Sequence, residues 1–239
     1  MADNNALKIF GFEIRRANKK EEDKKLQSIV PRQDDDGAGY VTASGSHYGQ
    51  YINIDGDDSK DNHQMIMKYR GVSTHPEVDA AIEDIINESV SASEEEAPVS
   101  IVLDKVEVSD QIKKGITEEF DNVLSMLDFT NNGHDMFKRW YIDGRLYHHL
   151  VVNESNIKAG IQEIRPIDSA KIRKVKQVKK KKDPVTGANL VESVDEYYIY
   201  QEKPGQQTSG VKLSYDSVSY VTSGLLSADR KKVVSHLHK

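Results

Sequence analysis

The chain has 239 residues, enough to bury a core as one large domain or two small ones. Its composition, 37% hydrophobic and 30% charged with five phenylalanines and one tryptophan, predicts ordered islands with polar tails. A formal net charge of −6 gives no whole-chain case for nucleic-acid binding, and zero cysteines exclude disulfides, thiolate metal sites and cysteine nucleophiles.

The first residues, MADNNALKIFGFEIRRANKKEEDKK, lack the apolar core of a signal peptide, and nowhere does the chain reach the roughly eighteen consecutive apolar residues of a spanning helix. No stable membrane insertion is expected. Leu7 to Ile14 form a short amphipathic run, and residues 31 to 64 are rich in Asp, Gly and Ser. Such a segment offers too little apolar surface to offset chain entropy, which predicts a mobile N-terminal arm over 1–64, with YINID as a docking element.

Order is expected from Met65. Thr74 reads as the cap of a helix with Pro76 in its first turn and Glu77 three residues on, and Val78, Ala81, Ile82, Ile85 and Ser89 share one face. SEEEAPV ends that helix, VSIVLDKVEV reads as a strand, and Ser109 caps a second helix in which Ile112, Ile116, Phe120, Val123, Leu124 and Leu127 keep the helical period. DFTNNG closes it and a third helix starts near Gly133, with Met136, Phe137, Trp140 and Tyr141 as an aromatic stripe.

Asp143-Gly144 predicts a turn into the strand RLYHHLVV, and GIQEIRPI predicts another strand. The basic run from Lys171 to Lys182 pairs with ESVDEYYIYQ across a turn at DPVTGAN, giving a hairpin over 171–201. After EKPGQQTSG and SYDSVSYV, the segment ADRKKVVSHLHK begins a helical pattern. The residues thus predict an α+β domain over 65–225 with helices packed on small antiparallel sheets, and over 226–239 the start of a further helix.

Few groups suggest chemistry. HExxH spacing, a GxSxG elbow and a GxxxxGK[ST] loop are all missing, and DGDDSKDNHQ lacks the Gly and Glu of a calcium loop. His148 and His149 point to opposite faces of a strand and do not jointly hold one metal. Trp140 and Tyr141 read as core or subunit-interface anchors rather than a base-stacking platform. No catalytic residue, metal or cofactor is expected.

In the basic strand, Lys174 and Lys176 share a face, with Arg173 and Val175 on the other. The bland reading is a solvated edge protected by lysines, partly neutralised by Glu192, Asp195 and Glu196 of the facing strand. The sharper reading makes Arg173, Lys174, Lys176, Lys179, Lys180, Lys181 and Lys182 contacts to phosphate or an acidic partner, and hence a nucleic-acid-binding module.

An ordered series of segments carries a family resemblance: EEFDNVLSMLDF (118–129), GHDMFKRWYIDGRLYHHLVV (133–152), GIQEIRPIDSAKIRKV (160–175) and DEYYIY (195–200), with HPEVDAAIEDIINESV (75–90) before them and SYVTSGLLSADRKKVVSHLHK after. From about residue 65 to 239 the chain resembles the portal vertex protein of large contractile-tailed bacteriophages and cyanophages. The resemblance implies a portal-protein wing-like region behind an N-terminal arm, with stem, clip and crown mostly encoded further along.

It also implies a ring of about twelve copies at one capsid vertex that nucleates head assembly and forms the channel for DNA packaging and ejection. The implied partners are the major capsid and scaffold proteins, the terminase motor, neck proteins and the DNA in the channel. The implied location is the virion, after assembly in the host cytoplasm. Under this reading Ile82, Ile116, Phe120, Phe137, Trp140 and Tyr141 serve the core or a subunit interface.

Overall fold

A computed structural model describes residues 57–90, 99–153, 155–183, 185–203, 210–228 and 232–238, together with the backbone of three strands at 6–9, 12–15 and 39–42. The YINID segment and most of the expected arm lie outside the described residues. Within the arm, β1 (Ala6–Ile9) and β2 (Phe12–Arg15) pair antiparallel, and β3 (Gly39–Thr42) joins the main fold.

The chain has four helices over its described residues: α1 (Asp57–Ser73), α2 (Pro76–Ser89), α3 (Asp110–Leu127) and α4 (Phe129–Asp143). The first begins before Met65, where order was expected to start. That displaces the expected cap: His75 is the N-cap of α2, while the Thr74 hydroxyl donates back to Gly71 O at 2.7 Å and satisfies a carbonyl in the last turn of α1. Pro76 fits at the first helical position because its missing N–H would have had no partner there.

The helical core gathers Tyr69, Ile82, Ile86 and Ile142, with Met65, Val78, Phe137, Tyr141 and Leu237 packed around it. The α2 stripe is narrower than expected and rotated. Ile86 is fully buried, whereas Ile85 is 38% exposed, so the buried set is the 78, 82, 86 row.

Two corners differ from expectation. VSIVLDKVEV forms no strand: local bonds such as Val106 N–H to Leu103 O at 3.1 Å turn the chain, and its apolar residues stay largely at the surface. High β propensity makes no strand without a ladder partner. At the other corner α4 starts at Phe129, four residues before Gly133, because a single left-handed residue, Asp128 (φ 47°), ends α3 and caps α4. Its carboxylate then accepts from the amides of Asn131 and Asn132 inside α4, the residues read as helix breakers.

The sheets follow. β4 (Arg145–Val152) lies between β5 (Ile161–Ile167) and β9 (Val218–Thr222), all antiparallel. The second sheet has the order β3-β6-β7-β8, with β6 (Ile172–Lys182), β7 (Asn189–Tyr200) and β8 (Val211–Ser214) antiparallel and β3 parallel to β6. The β6–β7 hairpin is the one expected over 171–201. Its turn is closed by Asp183, whose carboxylate accepts from Val185 N–H and the Thr186 hydroxyl.

The two sheets meet over a cluster of Tyr147, Ile172, Tyr198 and Val218, flanked by Ile167, Tyr200, Leu213 and Tyr220. Tyr147 stacks on Tyr220 at 4.6 Å and meets Tyr198 edge-on at 6.0 Å. Offset and edge contacts of this kind suit the charge distribution of aromatic rings. The fold is therefore α+β, helices against small open sheets.

The closing segment is not the helix its pattern suggested over its described residues. Residues 232–238 form a strap in which Val233, Val234 and Ser235 are buried, and Leu226 bridges to Val233. Gly144, at φ 72°, lets the strap cross the α4–β4 corner: a Cβ built there would stand 2.6 Å from Val234 O.

Candidate functional site

The basic strand β6 divides in two. From Ile172 to Val178 it is covered, with β7 along one side throughout and β3 along the other from Val175 to Val178. This corrects the expectation of a lysine-protected edge for Lys174 and Lys176. Lys176 is 1% exposed and Lys174 9%, and both share the Glu196 carboxylate at 3.5 and 2.8 Å. Lys174 Nζ also lies 5.0 Å from the centre of the Tyr215 ring.

Charged groups on an inner strand require a carboxylate from the neighbouring one, and the β6–β7 register supplies it. Arg173 takes the opposite face with Val175, as alternation predicts.

Beyond a register shift between Lys179 and Lys180 the strand loses its cover. Lys179 pairs with Asp195 at 2.6 Å, and that hydrogen bond holds its ammonium above the ordinary lysine range. Glu192, expected to share in this neutralisation, is exposed on β7 and adds a smaller attraction to the same ammonium. Lys180, Lys181 and Lys182 are exposed, and no ion pair involving them occurs among the described residues. Of the lysines read as phosphate or acidic-partner contacts, these three present their charge to solvent.

The α4 stripe makes contacts on two sides. Phe137 and Tyr141 pack on the helical core. Trp140 sits 5.3 Å from Phe137 and 5.0 Å from His236, while Tyr141 stacks on His236 at 4.7 Å. The Ser235 hydroxyl donates to Tyr141 O at 3.0 Å, and the Tyr69 hydroxyl is hydrogen-bonded with His238 Nδ1 at 2.8 Å. The stripe therefore grips the strap. Ile82 lies in this core, whereas Ile116 and Phe120 lie outside it on α3, Ile116 exposed and Phe120 half-buried.

A polar knot joins these parts. Arg70 of α1 donates to both oxygens of Asp143 at 2.9 and 2.7 Å and reaches Asp168 at 2.6 Å. The hydrogen bond to Asp143 raises the guanidinium pKa against the cost of burial. Burial alone would raise the Asp168 carboxyl, but Arg70 and the Ala170 N–H outweigh it and leave the group below its ordinary range. Arg145 of β4 donates to Asn62 Oδ1 at 2.7 Å and to the carbonyl of Val233 in the strap.

Sequence reading passed over Arg70, Arg145, Asp168 and His236, and took Asp143 only as a turn residue. One signal was available. An acid in the last turn of a helix opposes the helix dipole, so Asp143 calls for a nearby cation.

His148 is buried, which lowers its pKa, and His149 is half-buried on the other face of β4. Among the described residues no group of three or more His, Asp or Glu could hold a metal ion. Among them, too, no helix is long and apolar enough to cross a membrane. The arrangement is one of ion pairs and stacked rings that tie elements together.

Comparison with known proteins agrees with the segments that carried the resemblance. The family model described as Bacteriophage T4-like portal protein (Gp20) matches residues 62–239. The chain belongs to the T4-like phage portal protein family. Two relatives are the portal protein of Vibrio phage KVP40, 29% identical over 188 residues (74% of this chain, 36% of that protein), and the portal protein of Salmonella phage ViI, 35% identical over 176 residues (67% and 31%). The chain spans about a third of the length of these curated relatives. Its helices and small sheets match a wing-like region of such a protein.

Proposed function

We propose that this chain forms the wing-like region of a subunit in a ring of about twelve copies at a capsid vertex. In this reading residues 1–64 are an arm, 65–225 the wing, and 226–239 lead toward a stem. The ring nucleates head assembly against the major capsid and scaffold proteins, docks the terminase motor and later the neck proteins, and passes DNA through its channel. Assembly takes place in the host cytoplasm and the ring ends in the virion.

The observation that carries the reading is the family match across residues 62–239. The geometry supports a structural role, because the ion pairs and aromatic contacts join elements of the fold to one another. The test is electron microscopy of the complete gene product. Closed rings are expected, and dispersed monomers would refute the reading.

A second reading, a nucleic-acid-binding module acting through the basic strand, keeps one favourable observation: Lys180, Lys181 and Lys182 are exposed. It predicts salt-dependent DNA affinity that disappears when Lys179 to Lys182 become glutamate. Binding that is absent or insensitive to salt would remove it.

A further inference from the structure

Two surface features are left over by the fold, and their chemistries are opposite. The first is the exposed edge of the apolar stripe of α3 and the turn before it. Ile112, Ile116 and Val123 are 52%, 37% and 36% exposed, although they continue the helical period of the half-buried Phe120 and Leu124. Glu119 stands among them, seven residues after Ile112, three after Ile116 and four before Val123, so it shares their side of the helix.

The preceding turn adds Val102, 73% exposed, with Asp104 and Glu107 exposed beside it. From residue 99 to 123 the chain carries six acids (Asp104, Glu107, Asp110, Glu118, Glu119, Asp121) against three lysines (Lys105, Lys113, Lys114). Glu118 is spanned by Lys114 at 3.7 Å, while no partner of Glu119 occurs among the described residues. The patch is apolar at its centre and acidic around it.

The second feature is the tip of the β6–β7 hairpin. Lys180, Lys181 and Lys182 stand beyond the register shift, and Val185 in the turn is 89% exposed. The Asp183 carboxylate accepts from Val185 N–H and the Thr186 hydroxyl, and these bonds fix the turn beside the lysines. The turn holds the tip in one shape.

We infer that the basic hairpin tip of one copy docks on the acidic, apolar face of α3 in a second copy, with Lys180–Lys182 facing Glu119 and the acids of the preceding turn, and Val185 set against the Ile112–Ile116 edge. Charge complementarity carries the assignment, together with the matching apolar residue at the centre of each partner. The two patches are different surfaces of the same chain, so the contact is head-to-tail. Repeated from copy to copy, such a contact either closes into a ring or grows as a filament. The inference rests on the ring reading proposed above and assigns residues to one of its subunit contacts.

The test uses the complete gene product, with ring formation followed by light scattering and electron microscopy and folding followed by circular dichroism. Three proteins are compared: wild type, the triple variant Lys180→Glu/Lys181→Glu/Lys182→Glu, and that variant combined with Asp104→Lys, Glu107→Lys and Glu119→Lys. The inference expects rings from wild type, folded smaller species from the triple variant, and rings again from the combination.

A triple variant that still closes rings overturns it, and so does dispersal without rescue by the counter-charges. Rings that persist while DNA binding is lost would assign the lysines to nucleic acid and overturn it as well. A wild type that never forms rings instead overturns the ring reading itself.

Discussion

Replacing Gly144 with alanine tests how the strap is held to the α4–β4 corner. Two separate terms act there. The backbone sits at φ 72°, where an L-residue costs about 1 kcal/mol. A Cβ would also stand 2.6 Å from Val234 O and 2.9 Å from Ser235 Cα, both backbone atoms.

The strap cannot withdraw cheaply. Val234 N–H donates to Leu225 O at 3.0 Å, its carbonyl accepts from the Ser223 hydroxyl at 2.6 Å, and Val233 is fully buried. Forcing an added methyl into such a contact costs about 2 kcal/mol, so the total is about 3 kcal/mol. For a unit of this size that corresponds to a fall in Tm of roughly 6–12 °C.

Gly224 supplies the control. It too has a positive φ, 73°, but a Cβ there meets nothing within 4 Å, so Gly224→Ala reports the cost of the positive φ without the clash. Thermal and urea unfolding of both variants should separate them by about 2 kcal/mol. Equal losses would refute the close approach, and with it the placement of the strap.

Arg70→Met removes the guanidinium from the buried Asp143 carboxylate and should cost about 3 kcal/mol in urea unfolding, with Asp143→Asn in the same background recovering part of it; no recovery would exclude the pairing. Glu196→Gln takes away the carboxylate shared by Lys174 and Lys176, and a loss of about 2 kcal/mol at neutral pH is expected, against less than about 0.5 kcal/mol if those lysines were solvated. Burial holds the His148 pKa below its unfolded value, so between the two values the unfolded chain binds more protons. His148 therefore costs stability as pH falls below about 6.5, and His148→Gln should flatten that part of the stability profile; an unchanged slope would place the titration elsewhere.

How far the residues could be read depends on whether a structural choice is local. Ser109 at the N-cap position of α3, though without a side-chain capping bond, the Asp143-Gly144 turn, the strand RLYHHLVV and the β6–β7 hairpin rest on patterns a few residues long, and all appear where expected. The Ile85–Ile86 exchange differs because both positions fit an amphipathic helix, and the placement of α1 and α4 decides which is covered. VSIVLDKVEV had strand propensity without a ladder partner, and Asn131-Asn132-Gly133 had the look of a breaker while a single left-handed Asp128 took the corner.

The lysines of β6 show the same division most clearly. Alternation along the strand placed Lys174 and Lys176 on one face and Arg173 and Val175 on the other, and the facing strand was expected to offer acids. Whether that face was wet was not a local property. β3, more than a hundred residues earlier, takes the edge beside β6, and the antiparallel register with β7 brings Glu196 to both buried ammonium groups.

The sequence by itself determined the α+β class, the periods of its helices and strands, the turn glycines and the family. Tertiary structure alone decided which charges are buried, which apolar faces stay open, and that 232–238 is a strap gripped by Trp140 and Tyr141. Local patterns are set by sterics and hydrogen bonds between near neighbours, whereas burial is set by whichever distant segment arrives to exclude water.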